Sequence, residues 1–161
     1  MRTDRPGINQ VMKYIVLVII LLYIALLMVY TSGSNRPFAE VAKEVEQALD
    51  TANLTKMDGQ ALKRYYGLNS ADYEGVLLYS SESAMSAEEV LVIKVKENDQ
   101  VQDVSDAIDE YLAEKKNEFE GYVPEEVKLL DDAQRSVRGN YVFLAVAPKA
   151  QEYKEAFNKS L

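Results

Sequence analysis

Gly75-Val-Leu-Leu-Tyr-Ser80 and Glu89-Val-Leu-Val-Ile-Lys-Val-Lys96 are the two stretches on which the fold turns. Each is a short apolar run rich in β-branched or aromatic residues and bounded by polar ones. They read as strands joined by the polar loop Ser81 to Ala87. Asn98 or Asp99 then caps the longest helix after residue 36, which runs to about Phe119 with Val101, Val104, Ile108, Leu112 and Phe119 as its inner stripe. Gly121 breaks it. Pro124 starts a short helix carrying Val127, Leu129 and Leu130. Gln134 to Val137 and Tyr141 to Ala147 read as two more strands around a Gly139-Asn140 hairpin turn. Pro148 starts a terminal helix with Tyr153 and Phe157 on one side. The order is ββαββα. Hairpins of adjacent strands predict an α+β fold, an antiparallel sheet of about four strands with helices on one face. Val90-Leu-Val-Ile-Lys-Val95 can be laid over Tyr141-Val-Phe-Leu-Ala-Val146, each followed by a helix, as a duplicated unit would be.

Two short helices lead into this unit. Phe38, Val41, Val45, Ala48 and Leu49 recur at helical spacing, with Pro37 suited to the first turn and an end near Ala52. Asp58 caps a second helix holding Leu62, Tyr65 and Tyr66, and Gly67 is its left-handed stop.

Upstream of both, Tyr14 to Tyr30 reads YIVLVIILLYIALLMVY, 17 residues with no charge, Gly or Pro. With Val11, Met12 and Lys13 it is long enough for a helix to cross about 30 Å of hydrocarbon. Lys13 can snorkel to the interface, and Tyr14 and Tyr30 stand where aromatic belts sit. Arg2, Arg5 and Lys13 precede the run, so the positive-inside rule puts the N-terminus in the cytoplasm. A cleaved signal peptide has an apolar core of about 7–15 residues and a small-residue cleavage site. This core is longer, and Thr31 and Gly33 make a poor site. The expected organisation is a cytoplasmic N-terminus (1–13), a transmembrane signal anchor (14–30), a tether (31–36) and an extracytoplasmic domain (37–161).

Composition narrows the chemistry. The 161 residues contain no His, Cys or Trp. Imidazole-dependent triads, disulfides, thiolate metal sites and lipidated cysteine are therefore excluded. Residues 1–36 carry Arg2, Arg5, Lys13 and Arg36 against Asp4, a balance of +3; residues 37–161 carry 14 basic and 25 acidic residues, a balance of −11. An acidic body repels nucleic-acid phosphate, so no nucleic-acid partner is expected. The acidic residues Asp99, Asp103, Asp106 and Glu110 share one helix face, but no calcium-loop pattern accompanies them. No metal site, cofactor or catalytic residue is expected.

Tyrosine is the conspicuous side chain, with 11 in the chain. Its flat apolar face and polar tip suit sugar rings and protein interfaces. Tyr65 and Tyr66 are the expected binding residues. Successive helical residues point about 100° apart, so at most one of the two lies fully in the core. The rival enzymatic readings are carboxylate pairs (Glu88/Glu89, Glu125/Glu126, Asp131/Asp132) and a Ser-Lys nucleophile. The latter would use Ser80, Ser81, Ser83 or Ser86 with Lys94 or Lys96, of which one Lys would have to be desolvated.

Several stretches together resemble a bacterial family known as domain of unknown function 4358: Tyr66-Gly-Leu-Asn-Ser-Ala-Asp-Tyr-Glu-Gly75, Met85-Ser-Ala-Glu-Glu-Val-Leu-Val-Ile-Lys-Val-Lys96, Phe119-Glu-Gly-Tyr-Val-Pro124 and Val137-Arg-Gly-Asn-Tyr-Val142. The resemblance covers about residues 37–161. It implies a Gram-positive, extracytoplasmic, membrane-anchored protein with a helper role in O-acylating a cell-surface polymer. The expectation is a non-catalytic accessory or binding module of the cell envelope. Its partners would be the membrane and an envelope protein or cell-surface glycan. The alternatives are a structural subunit of a larger membrane complex, or a carboxylate or Ser-Lys envelope enzyme.

Overall fold

The computed structural model describes residues 8–31 and 36–161. Most of the expected cytoplasmic stretch and residues 32–35 of the tether lie outside the described residues. The chain divides into two compact units, one ending at Gly33 and the other running from Ser34 to Leu161. In the first, α1 (Ile8–Thr31) is a 24-residue helix. Its Val11–Met28 segment has a mean hydropathy of 2.7 and is exposed all round. It is long and apolar enough to span a membrane, a property that signal sequences share.

The described residues of the second unit form an α+β fold. The elements are α2 (Phe38–Ala48), β1 (Thr55–Lys56), α3 (Gly59–Tyr66), β2 (Gly75–Ser80), β3 (Glu89–Lys94), α4 (Gln100–Phe119), α5 (Pro124–Asp131), β4 (Gln134–Arg138), β5 (Tyr141–Val146) and α6 (Ala150–Ser160). The sheet is antiparallel throughout, in the order β1-β2-β3-β5-β4. The ββαββα order is as expected. The fifth strand, β1, is a two-residue edge pairing Thr55 with Ser80 and Lys56 with Tyr79, too short to leave a hydropathy pattern.

The helices do not keep to one face. On one side of the sheet, Leu78, Leu91, Ile93, Val142, Leu144 and Val146 pack against α3, α4 and α5 through Leu62, Val104, Ile108 and Leu130. On the other, Leu77, Val90, Val92, Tyr141, Phe143 and Ala145 pack against α2 and α6 through Val41, Val45, Tyr153 and Phe157. The physical reason is β3 and β5: every residue of both is buried. Strands covered on both faces read as continuous apolar runs rather than alternating ones. The two hairpins lie side by side, with β3 paired to β5. The helix after each hairpin sits on the opposite face, α4 on one and α6 on the other. A two-fold rotation relating antiparallel neighbours in a sheet keeps faces unchanged, so the duplicated-unit reading does not extend to the helices.

Local signals act where expected. The Asp58 carboxylate accepts from the backbone N–H of Gln60 and Ala61, both at 3.0 Å, and Gly67 closes α3 with φ 68°. Gly139 supplies the positive φ (57°) that a two-residue hairpin turn takes at its first position. α2 stops at Ala48, before the expected end. α4 is not capped by an Asp99 or Asn98 side chain; the Gln100 side chain instead accepts from the N–H of Lys96 and Glu97.

The junction of α2 with β2 is tight. A Cβ on Gly75 would lie 2.2 Å from Cγ and Cδ1 of the Phe38 ring. Gly75→Ala should cost about 1–3 kcal/mol by overpacking, read as a lower Tm of the full chain. In a Phe38→Ala background the same change should cost almost nothing. An equal cost in both backgrounds would refute the contact.

Candidate functional site

Three elements bring a polar cluster to one end of the sheet. Ser80 ends β2 and Glu89 begins β3, and the two are direct cross-strand partners. On β3 the period of two sets Glu89 on the same side as Leu91 and Ile93, facing α3 and α4. α3 delivers Tyr66, whose hydroxyl donates to Glu89 Oε1. α4 delivers Tyr111, whose hydroxyl donates to Glu89 Oε2 at 2.9 Å. The Ser80 hydroxyl, on the strand directly across, favours the charged form of the same carboxyl. The Tyr66 and Tyr111 rings lie 4.4 Å apart between centroids.

Glu89 is fully buried. Desolvation penalises its charged form and is the largest influence on it. The hydroxyls of Tyr66, Tyr111 and Ser80 and the more distant Lys115 charge oppose that and only partly cancel it, so the carboxyl is pushed up to about 7. Burial first, and then the Glu89 charge, raises both Tyr66 and Tyr111 far above the ordinary phenol.

A cleft of about 230 Å³ opens beside this cluster. Ser80, Tyr111, Tyr65 and Lys115 line it with the hairpin loop, which contributes Ser81, Glu82, Ser83 and Ser86. The Oγ atoms of Ser81, Ser83 and Ser86 accept from the N–H of Ser83, Met85 and Glu88, each at 3.2 Å, which orders the loop. Each O–H donor of those serines is then free to turn outward. The loop is also tied from α5, where Glu126 Oε2 accepts from the Ala87 N–H at 2.6 Å. Lys115 Nζ sits 5.9 Å from the Tyr111 centroid and 2.9 Å from Glu118 Oε2.

The structure places the two expected binding residues on either side of the cleft wall. Tyr66 is in the core on Glu89, and Tyr65 is half-buried and lines the cleft, 6.2 Å from Tyr111 between centroids. The Ser-Lys pairings with Lys94 or Lys96 are not formed. Lys94 lies on the opposite face of the sheet, buried, with Nζ donating to Glu74 Oε1 at 2.7 Å and to the Arg36 carbonyl at 3.2 Å. Lys96 Nζ donates to the Ala71 carbonyl. The lysine that does reach the serine loop is Lys115, from a helix far along the chain. Glu88 and Glu89 diverge: the Glu88 carboxylate accepts from Asn53 Nδ2 at 3.4 Å, whereas Glu89 is buried on Tyr66 and Tyr111. Asp99, just before α4, and Asp103, Asp106 and Glu110 along it are all exposed. Sequence reasoning misses Glu89 as a buried acid. The signal is its place two residues before Leu91 in an inward-facing register.

The family described as domain of unknown function (DUF4358) matches residues 47–147, a span from the end of α2 to the end of β5 that holds every residue of the cluster and cleft. The chain belongs to this family. No curated protein and no solved structure matches it.

The Glu89 environment has a pH signature. A carboxyl raised in the folded state binds a proton that the unfolded chain has already lost between about pH 4.5 and 7. Its contribution to stability is therefore complete below pH 4.5 and is lost as pH rises through 7, a fall on the order of 3 kcal/mol. Urea midpoints of the full chain in nanodiscs should drop from pH 5 to pH 8, and Glu89→Gln should flatten that slope. A slope unchanged by the substitution would remove Glu89 as its source.

Proposed function

We propose that the protein is a membrane-anchored, non-catalytic binding module of the cell envelope. Its N-terminus is cytoplasmic, its folded domain extracytoplasmic, and its cleft recognises a sugar unit of a cell-surface glycan. The observation that carries this reading is the convergence of four serines, Tyr65, Tyr111 and Lys115 on one cleft of about 230 Å³. Hydroxyl-rich walls with an amphipathic aromatic side match the chemistry of a sugar ring, which offers both polar edges and apolar patches. With Lys115 and Glu82 the lining carries one charge of each sign, which suits a neutral ligand. The apolar α1 helix supports anchoring, and the cationic N-terminal flank supports the orientation. A helper role in O-acylating the bound polymer is the finer part of the proposal. Its support is the family resemblance, and the cleft supports only the polymer.

The test is calorimetric titration of the full chain in nanodiscs with solubilised cell-surface polysaccharide fragments. Tyr65→Ala, which removes a half-buried ring from the cleft wall, should weaken binding about tenfold or more while the circular dichroism spectrum stays unchanged. Binding of equal strength in this variant would move the recognition surface elsewhere. Release of a modified or cleaved product would replace the binding reading with an enzymatic one.

A further inference from the structure

We propose that Glu89 is the specificity-determining residue of this cleft: its proton decides whether the Tyr111 hydroxyl offers the ligand a hydrogen-bond acceptor or a donor. The inference rests on the cleft being a sugar-binding site, and it concerns a residue that does not itself line the cleft.

Counting protons leads to this assignment. A hydroxyl has one proton to donate and lone pairs to accept with. When Glu89 is ionised it accepts only, and Tyr66 and Tyr111 both direct their protons at it. Tyr111 then turns only lone pairs toward the cleft, and it favours ligand groups that donate. When Glu89 takes a proton from water, its own O–H must donate to one of the two hydroxyls. That hydroxyl can no longer donate back along the same line, so its proton swings away. Tyr66 is enclosed and lines no part of the cleft, whereas Tyr111 does. The reversal therefore falls on Tyr111, and an acceptor of the cleft wall becomes a donor. A low-dielectric surrounding makes such a relay stiff, because an unmatched buried partner is costly.

The groups around Glu89 on each element are compatible with a titration near neutrality. β2 presents Ser80, α3 Tyr66, α4 Tyr111 and Lys115, and the neighbouring strand β5 the apolar Val146. Farther out, Arg135 of β4 acts on Tyr66 and Glu118 of α4 on Tyr111, and Arg135 is already paired with Asp109 at 2.7 Å. α5 touches the loop through Glu126, at the Ala87 N–H. Among these only Lys115 stands as a cation acting on Glu89 itself, and burial outweighs it, which leaves the carboxyl half-titrated near pH 7.

The test uses the full chain in nanodiscs and has two independent arms. In the first, carboxyl ¹³C NMR follows Glu89 from pH 5 to pH 9. Over the same range, infrared spectroscopy follows the Tyr111 C–O stretch, assigned by its loss in Tyr111→Phe. In the second, N-acetylglucosamine is titrated at each pH. The expected result is that, as pH rises through the Glu89 midpoint, the Tyr111 hydroxyl changes from accepting from Glu89 to donating to it, and that sugar affinity shifts about tenfold across that midpoint. Glu89→Gln keeps an acceptor for Tyr66 and supplies an amide donor toward Tyr111. It should hold affinity at its acid value at every pH. A Tyr111 signal that ignores the Glu89 titration, or sugar affinity that is flat in the unsubstituted protein, would overturn the proposal. If the Tyr111 hydroxyl follows Glu89 and no sugar binds at any pH, the relay stands and the glycan reading fails. Should Glu89→Gln misfold, Tyr111→Phe serves in its place, since it deletes only the hydroxyl and should shrink or abolish the pH dependence of affinity. A pH dependence left intact in Tyr111→Phe would overturn the proposal as well.

Discussion

Burial of β3 and β5 on both faces is the constraint from which the rest of the domain follows. Two adjacent strands with no exposed residue need a helical layer on each side. One layer is assembled from the first and last helices of the domain, α2 and α6, and the other from the three between them. The chain must cross from one side of the sheet to the other to do this, which is why the helices that follow the two hairpins part company. The same constraint brings two charged residues of β3 inside, on opposite faces. Lys94 meets the Glu74 carboxylate, the Arg36 carbonyl and, at 5.4 Å, the face of the Tyr141 ring. Glu89 meets the Tyr66 and Tyr111 hydroxyls at hydrogen-bond distance. A buried cation beside a carboxylate and a buried acid beside phenols are different problems, and the second is the one that brings a titration toward neutrality.

Much of this architecture is legible in the sequence because it is written in local chemistry. Asp58 and Gly67 delimit α3 by satisfying backbone N–H groups and by adopting positive φ, and both signals act within a few residues. The β2–β3 and β4–β5 hairpins are legible for the same reason. Two-sided burial is present too, in the unbroken apolar runs Val90-Leu-Val-Ile and Tyr141-Val-Phe-Leu-Ala-Val, but hairpin connectivity by itself points to helices on one face only. β1 leaves no pattern because two residues cannot show a period. The site is half legible. Consecutive tyrosines on a helix must diverge, and they do, one into the core and one to the cleft. Ser80 comes from β2 and Tyr111 and Lys115 from α4, and only the packing of α4 across the sheet brings them together.

The absence of histidine acquires a more specific meaning in this setting. Imidazole is the side chain that titrates near neutral pH without help. This chain has none, yet Glu89 reaches that range through burial. A carboxylic acid in this role differs from imidazole in one respect: its neutral form both donates and accepts, and its charged form only accepts. It suits an arrangement whose neighbours are hydroxyls, each able to reverse the sense of its hydrogen bond.

The position of the cleft beside Glu89 follows from how a hairpin ends. A strand buried on both faces cannot continue into solvent with the same residues; it needs polar groups where the sheet meets the loop, and Ser80 and Glu89 are that boundary. The loop that joins them is held by its own serines and by Glu126, so it stands away from α4 rather than collapsing onto it. The space left between loop and helix is the cleft, lined by Ser80 at the end of β2 and by Tyr111 and Lys115 of α4, with Glu89 enclosed behind Tyr111. The buried acid and the open cleft are therefore one consequence of beginning the fully buried strand β3 at a polar turn. Any group bound in the cleft would contact Glu89 through a single layer of hydroxyls.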